Sequence, residues 1–163
     1  MAEHTEEVAG LKVHWRQKGD APIVYLHGVP SSSYDWLPFL ERSGGYAPDL
    51  PGFGSSDKPA HFDYSIAGYA AFLRTYVDQL GLDRFSLVMH DWGAVGLALA
   101  AAIPERVERV VAICVVPFLP GYGWHRVARI WRTPLAGELL MGYSFKAGGV
   151  IRTQSSQITW MVT

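Results

Sequence analysis

The 163 residues hold 14 lysines and arginines against 15 aspartates and glutamates, a formal net charge of −1, with 49% hydrophobic and 18% charged residues. That balance suits one folded domain with a real core, and it offers no basic face for nucleic acid or anionic lipid. The single cysteine, Cys114, excludes an intrachain disulfide and fits a reducing compartment.

In chain order, "MAEHTEEVAG" (1–10) is acidic and lacks the apolar run of a signal peptide, so a cytoplasmic protein is expected. "LKVHWRQK" (11–18) alternates, with Leu11, Val13, Trp15 and Gln17 on one side and Lys12, His14, Arg16 and Lys18 on the other; this predicts a half-buried edge strand. "PIVYL" (22–26) is continuously apolar, as a central parallel strand is, and runs into the turn chemistry of "HGVPSSS". "YDWLPFLERSGG" (34–45) predicts a short helix ending at Gly44, with Pro38 tolerated near its start. In "SIAGYAAFLRTYVDQLG" (65–81), Ser65 caps a helix whose stripe is Ile66, Ala70, Leu73, Val77 and Leu80, and Gly81 stops it. "FSLVMH" (85–90) is a second buried strand, "WGAVGLALAAAI" (92–103) a helix with almost no polar face, and "RVVAICVV" (109–116) a third buried strand. Strand and helix in alternation predict an α/β protein with a doubly wound, mostly parallel sheet. The uncharged stretch 110–124 is interrupted by Pro117, Pro120, Gly121 and Gly123, so no membrane span is expected.

Asp91 falls where the strand ending at His90 turns into the helix beginning at Trp92, on the carboxyl edge of the sheet, where α/β proteins place ligands. Two readings compete at about even odds on local grounds: an N-cap for the helix, or a reactive carboxylate on a strand-to-helix elbow, with the helix dipole keeping it ionised.

The motifs around it shift the balance toward the second reading. "LHGVP" (26–30), "APDLPGFGSSDKP" (47–59), "YSIAGY" (64–69), "LVMHDWGA" (87–94) and "IPERVERVV" (103–111) stand in an order that resembles the α/β-hydrolase family over roughly residues 11–120. Within it the chain resembles the aspartate-nucleophile branch, the epoxide hydrolases and haloalkane dehalogenases. "HDWG" after a strand is specific when an "HG-x-P" loop precedes it. The resemblance implies Asp91 as nucleophile, the backbone N–H groups of Val29 and Trp92 as oxyanion hole, Trp92 as a holder of substrate or leaving group, and His27, Gly28 and Pro30 as loop support. The implied substrate is a small apolar electrophile, an epoxide or alkyl halide, attacked to give an ester that activated water then hydrolyses. Val29, apolar and followed by proline, leans the pattern toward epoxide hydrolases, in which two tyrosines usually protonate the alkoxide; Tyr122 and Tyr143 lie in the right part of the chain.

The remaining candidates read as structure. "GFGSS" (52–56) lacks a third glycine and a P-loop lysine, and is a turn. His4, His14 and His61 read as solvated, with no metal-ligand spacing, and His90 as directed away from Asp91. Cys114 reads as core packing on a buried strand. No G-x-S-x-G occurs, which argues against a serine esterase, and neither metal nor cofactor is expected.

Residues 1–120 are expected to form the N-terminal half of a hydrolase core, 121–143 the start of a lid, and 144–163 an unassigned tail. The last histidine is His125 and the last acid Glu138, so the family's downstream histidine and acid are absent and the chain reads as truncated. The alternative to an enzyme is a catalytically incomplete binding or interaction module, whose open sheet edge recruits another copy or a complementing C-terminal half.

Overall fold

A computed structural model of the chain describes residues 1–116, 121–124, 126–131, 133–137 and 139. Six strands form one sheet: β1 (Ala2–Val8), β2 (Leu11–Lys18), β3 (Ile23–Leu26), β4 (Gly45–Pro48), β5 (Phe85–His90) and β6 (Val107–Ile113), in the order β1-β2-β4-β3-β5-β6. β1 and β2 pair antiparallel, as do β2 and β4, while β4, β3, β5 and β6 run parallel. The helices are α1 (Leu37–Ser43), α2 (Ile66–Gln79), α3 (Gly96–Ala102) and α4 (Arg126–Trp131).

One face of the sheet carries most of the core. Val13, Trp15, Val24, Leu26, Phe85, Leu87 and Met89 pack with Tyr69, Phe72, Leu73, Tyr76 and Val77 of α2 and Leu99 of α3. The other face holds a smaller cluster of Tyr25, Trp36, Leu40 and Ala47. Ser65 caps α2, its Oγ accepting the Gly68 N–H at 3.1 Å. The buried stripe of α2 is turned relative to the predicted one: Tyr69, Phe72, Leu73, Tyr76 and Val77 face inward, while Ile66 is exposed. Tyr69, Phe72 and Tyr76 at i, i+3 and i+7, with Leu73 at i+4, outweigh the aliphatic stripe because aromatic rings bury more apolar area.

Four further expectations are corrected. β2 is not an edge strand, because the acidic N-terminus forms β1 beside it through a two-residue turn in which Ala9 and Gly10 have φ 51° and 76°. His14 is buried rather than solvated, its ring Nδ1 3.1 Å from Thr5 Oγ1 and its backbone N–H donating to Ser56 Oγ, and His4 lies on β1 stacked on Trp15. β6 is exposed, including Val110, Val111 and Ile113, so the strand read at 109–116 is not buried. Cys114 lies just past its end, exposed and with φ 48°, and does not pack in the core. Tyr143, His125, Glu138 and the tail 144–163 lie outside the described residues. Among the described residues no helix is long and apolar enough to cross a membrane.

Candidate functional site

The site is built where β3 and β5 end side by side, Leu26 pairing with Met89. The expected helix from Trp92 is two pieces, a 3-10 turn over Asp91–Val95 and then α3. Asp91 is its hinge. It has φ 49°, a left-handed conformation that aspartate tolerates better than most residues and that clusters at functional sites. The sharp reversal is possible because nothing projects from its glycine neighbours. A Cβ on Gly93 would lie 2.3 Å from the Leu26 carbonyl oxygen, and one on Gly96 2.6 Å from Leu26 Cδ1.

The half-buried Asp91 side chain turns away from its own helix. Its Oδ1 accepts the Val29 N–H at 2.9 Å, across the gap between the two strand ends. His90, the residue ahead of the turn, makes no side-chain cap. The bond to Val29 depends on Gly28, where a Cβ would meet Asp91 Cβ at 2.5 Å and Oδ1 at 2.7 Å. The Asp91 carbonyl is held from the other side by the Val116 N–H at 3.2 Å. Gly28, Val29 and Asp91 are therefore in contact, Trp92 follows directly and is buried, and Pro30 follows Val29 through a cis peptide bond.

His27 lies beneath this loop, fully buried. Its Nε2 accepts the Leu50 N–H at 3.0 Å, so the ring proton sits on Nδ1, which donates to the Gly28 carbonyl at 2.8 Å. Burial holds the imidazole below its ordinary pKa, against opposing contributions from the Gly28 bond and from Asp49, Asp35 and Asp91. With both nitrogens engaged, His27 ties the "HGVP" loop to the start of "LPGFGSS" and is not free to shuttle protons.

Sequence reasoning passed over Asp49. It is 1% exposed, and its two oxygens accept the N–H groups of Ser33 and Ser55, each at 2.7 Å. A Cβ on Gly54 (φ 50°) would fall 2.0 Å from Asp49 Oδ2, so the glycine lets the loop fold over the carboxylate. Its signal was a lone acid inside an otherwise apolar strand-and-turn segment, "YAPDLPGFG". Among the described residues no group of three or more His, Cys, Asp or Glu could hold a metal ion.

A half-buried hinge aspartate facing a backbone N–H at the carboxyl edge of a parallel sheet stands where α/β proteins place ligands. A family profile for the alpha/beta hydrolase fold matches residues 21–139. The chain belongs to that family. This α/β-hydrolase chain is 41% identical over 122 residues to a haloalkane dehalogenase of Psychrobacter cryohalolentis, an alignment covering 69% of the chain and 40% of the relative. It is 36% identical to a haloalkane dehalogenase of Mycobacterium marinum, over 93% of the chain and 57% of the relative. The structure of a haloalkane dehalogenase from Bradyrhizobium elkani superposes with TM-score 0.79 and 27% identity, over 99% of this chain and 67% of that one. An epoxide hydrolase from Vigna radiata superposes with TM-score 0.75 and 31% identity, over 91% and 55%. The chain spans about half the length of the curated relatives it matches.

Proposed function

We propose that Asp91 is the nucleophile of a hydrolase acting on a small alkyl halide or epoxide, and that this chain carries the nucleophile and its oxyanion hole. The observation that carries the reading is the Asp91 side chain: left-handed backbone, sharp elbow, and one oxygen on the Val29 N–H. A capping role is less well supported, because the hydrogen bond reaches 62 residues back along the chain rather than into the helix.

The other Asp91 oxygen, Oδ2, attacks carbon, the carbon–halogen or carbon–oxygen bond breaks with its electron pair leaving on the halide or the epoxide oxygen, and an ester forms on Asp91. Val29 N–H already points at the carboxylate, so it can follow the ester's carbonyl oxygen. When water attacks, negative charge develops on that oxygen, and the N–H groups of Val29 and Trp92 stabilise it. The Trp92 indole N–H is assigned to the leaving group, as the family resemblance implies. Gly28, Pro30 and His27 hold the loop in register. The attack of water needs a base; His27 does not supply it, both its nitrogens being engaged. Six curated haloalkane dehalogenases are 34–41% identical to this chain over the aligned residues, which favours alkyl halides over the epoxides toward which Val29 leans.

Incubation with a reactive primary alkyl bromide, followed by peptide mass spectrometry, tests the proposal. The alkyl mass is expected on the peptide containing residues 88–96 and absent from Asp91→Asn. Because Cys114 is exposed, label found on it alone counts against the reading. The second reading, a binding module, draws on the exposed apolar residues of β6; it gains if no ester forms on Asp91 while the chain still binds an apolar ligand or another chain.

A further inference from the structure

Val29 stands in a short loop, residues 28–32, between the end of β3 at Leu26 and the 3-10 turn Ser33–Trp36. A loop this short takes its course from its two ends. At the near end the Leu50 N–H donates to His27 Nε2 at 3.0 Å. At the far end the Ser33 N–H donates to Asp49 Oδ1 at 2.7 Å. The two holders, Asp49 and Leu50, are consecutive residues just past β4, joined by a trans peptide and so about 3.8 Å apart at Cα. His27, Ser33, Asp49 and Leu50 are all buried. One peptide unit therefore grips both ends of the loop, and between the grips the Val29 N–H meets Asp91 Oδ1 at 2.9 Å.

Asp49 is itself held by the sheet and by the following turn. Its N–H donates to the His14 carbonyl of β2 at 2.8 Å, and its carbonyl accepts from Ser56 Oγ at 2.7 Å. Ser56 Oγ in turn accepts the His14 backbone N–H at 2.9 Å, which closes the contact onto β2. The second carboxylate oxygen, Oδ2, accepts the Ser55 N–H at 2.7 Å. Burying a carboxylate costs free energy that an apolar side chain would not. What the carboxylate adds is direction, because a charge-assisted hydrogen bond is shorter and stronger than a neutral one. Arg16 secures Ser33 from another side, donating to its Oγ.

We propose that Asp49 is a positioning residue for the chemistry at Asp91: by holding Ser33 it aims the Val29 N–H at the Asp91 carboxylate. The role presupposes the reading of Asp91 as nucleophile. Asp49 acts through Ser33 and Val29, not on the substrate.

The test follows the Val29 amide by NMR of the ¹⁵N-valine-labelled full chain, its signal identified by its loss in Val29→Leu. An N–H bonded to a carboxylate resonates downfield. Asp49→Ala removes the acceptor at the far end of the loop, and Ser33→Pro removes the donor. Ser32 already has the extended backbone (φ −155°, ψ 178°) that a following proline favours, and position 33 opens the turn, where proline is tolerated. Ser33→Pro thus covers the case of Asp49→Ala failing to fold. In both variants the Val29 proton is expected to move upfield. The maximal rate of ester formation on Asp91 is expected to fall about tenfold, the effect of one hydrogen bond, with the half-saturating concentration of alkyl bromide unchanged. Val77→Ala, in the buried face of α2, weakens the core without touching these contacts and is expected to leave both quantities at their wild-type values. A Val29 proton unmoved in the folded variants, or moved as far by Val77→Ala, overturns the proposal. If the wild type forms no ester, the nucleophile is refuted, and the Val29 amide alone decides the positioning.

Discussion

Gly28→Ala tests whether the contact between the "HGVP" loop and Asp91 matters as much as its geometry indicates. The added methyl would lie 2.5 Å from Asp91 Cβ and 3.0 Å from its Cγ. Carbon atoms rest at about 3.5–4.0 Å, so one side has to retreat by about 1 Å. If Asp91 retreats, Oδ1 leaves its 2.9 Å contact for about 3.9 Å, outside hydrogen-bond range. The bond to a charged acceptor is worth about 1.5–3 kcal/mol and overpacking costs about 1–3 kcal/mol. The two overlap, since the retreat that breaks the bond also relieves the clash, and Asp91 is only half-buried. A net loss of about 2 kcal/mol follows, a fall of about 1 M in the urea midpoint for a slope near 2 kcal/mol/M. Urea unfolding followed by tryptophan fluorescence gives the midpoint, and mass spectrometry gives the rate of ester formation. Both should drop. An unchanged midpoint together with an unchanged ester rate would refute the argument, because the loop would then be accommodating the methyl without moving the carboxylate.

Asp91→Asn keeps a side chain that tolerates positive φ and one oxygen for Val29, so its urea midpoint should change by less than about 0.5 M while the ester disappears. Asp49→Asn is expected to cost about 1–3 kcal/mol in the same assay, because an NH₂ group replaces one of the oxygens facing Ser33 and Ser55. Stability should fall on the acid side through His27. Its folded pKa is depressed, so the unfolded chain binds the extra proton; the contribution is complete above the ordinary value of about 6.5 and is lost as pH falls from there through the folded pKa. Denaturant melts between pH 7.5 and 5 should show a smaller acid-side loss in His27→Gln than in the wild type. Cys114 should react with iodoacetamide in the native state at close to the rate of the unfolded chain; full protection would contradict its exposed position.

The central features were legible because their periods are clean. Ile23–Leu26 and Phe85–His90 are apolar runs ending at turn chemistry, and an acid set between such a run and an apolar stretch marks an elbow. What the elbow looks like in detail was not legible: that Asp91 is left-handed, and that the first turn is 3-10, follow from how closely Gly93 must approach the Leu26 carbonyl. β1 was missed because the side that carries buried Val8 also carries His4 and the exposed Glu6, which erases the apolar half of the alternation. β4 has four residues bounded by glycine and proline, too short for a period to register. The α2 stripe was misplaced because Tyr69 and Tyr76 read as polar, although each buries its ring completely. Cys114 was assigned to the core by extending an apolar run past the residue where the strand stops. Asp49 carries no periodic signal at all; its role exists only once the segments around Ser33 and Ser55 have folded against it.

Among the described residues, the two outer strands of the sheet differ in kind. β1 presents Glu3, Glu6 and Glu7 exposed, while β6 exposes Val110, Val111 and Ile113. Two β1 borders brought together set carboxylates against carboxylates, and like charges directly opposite are destabilising. The acidic hairpin therefore makes the β1 side of the sheet repel its own copy, and because exposed charges are screened by salt, that repulsion should fade as ionic strength rises.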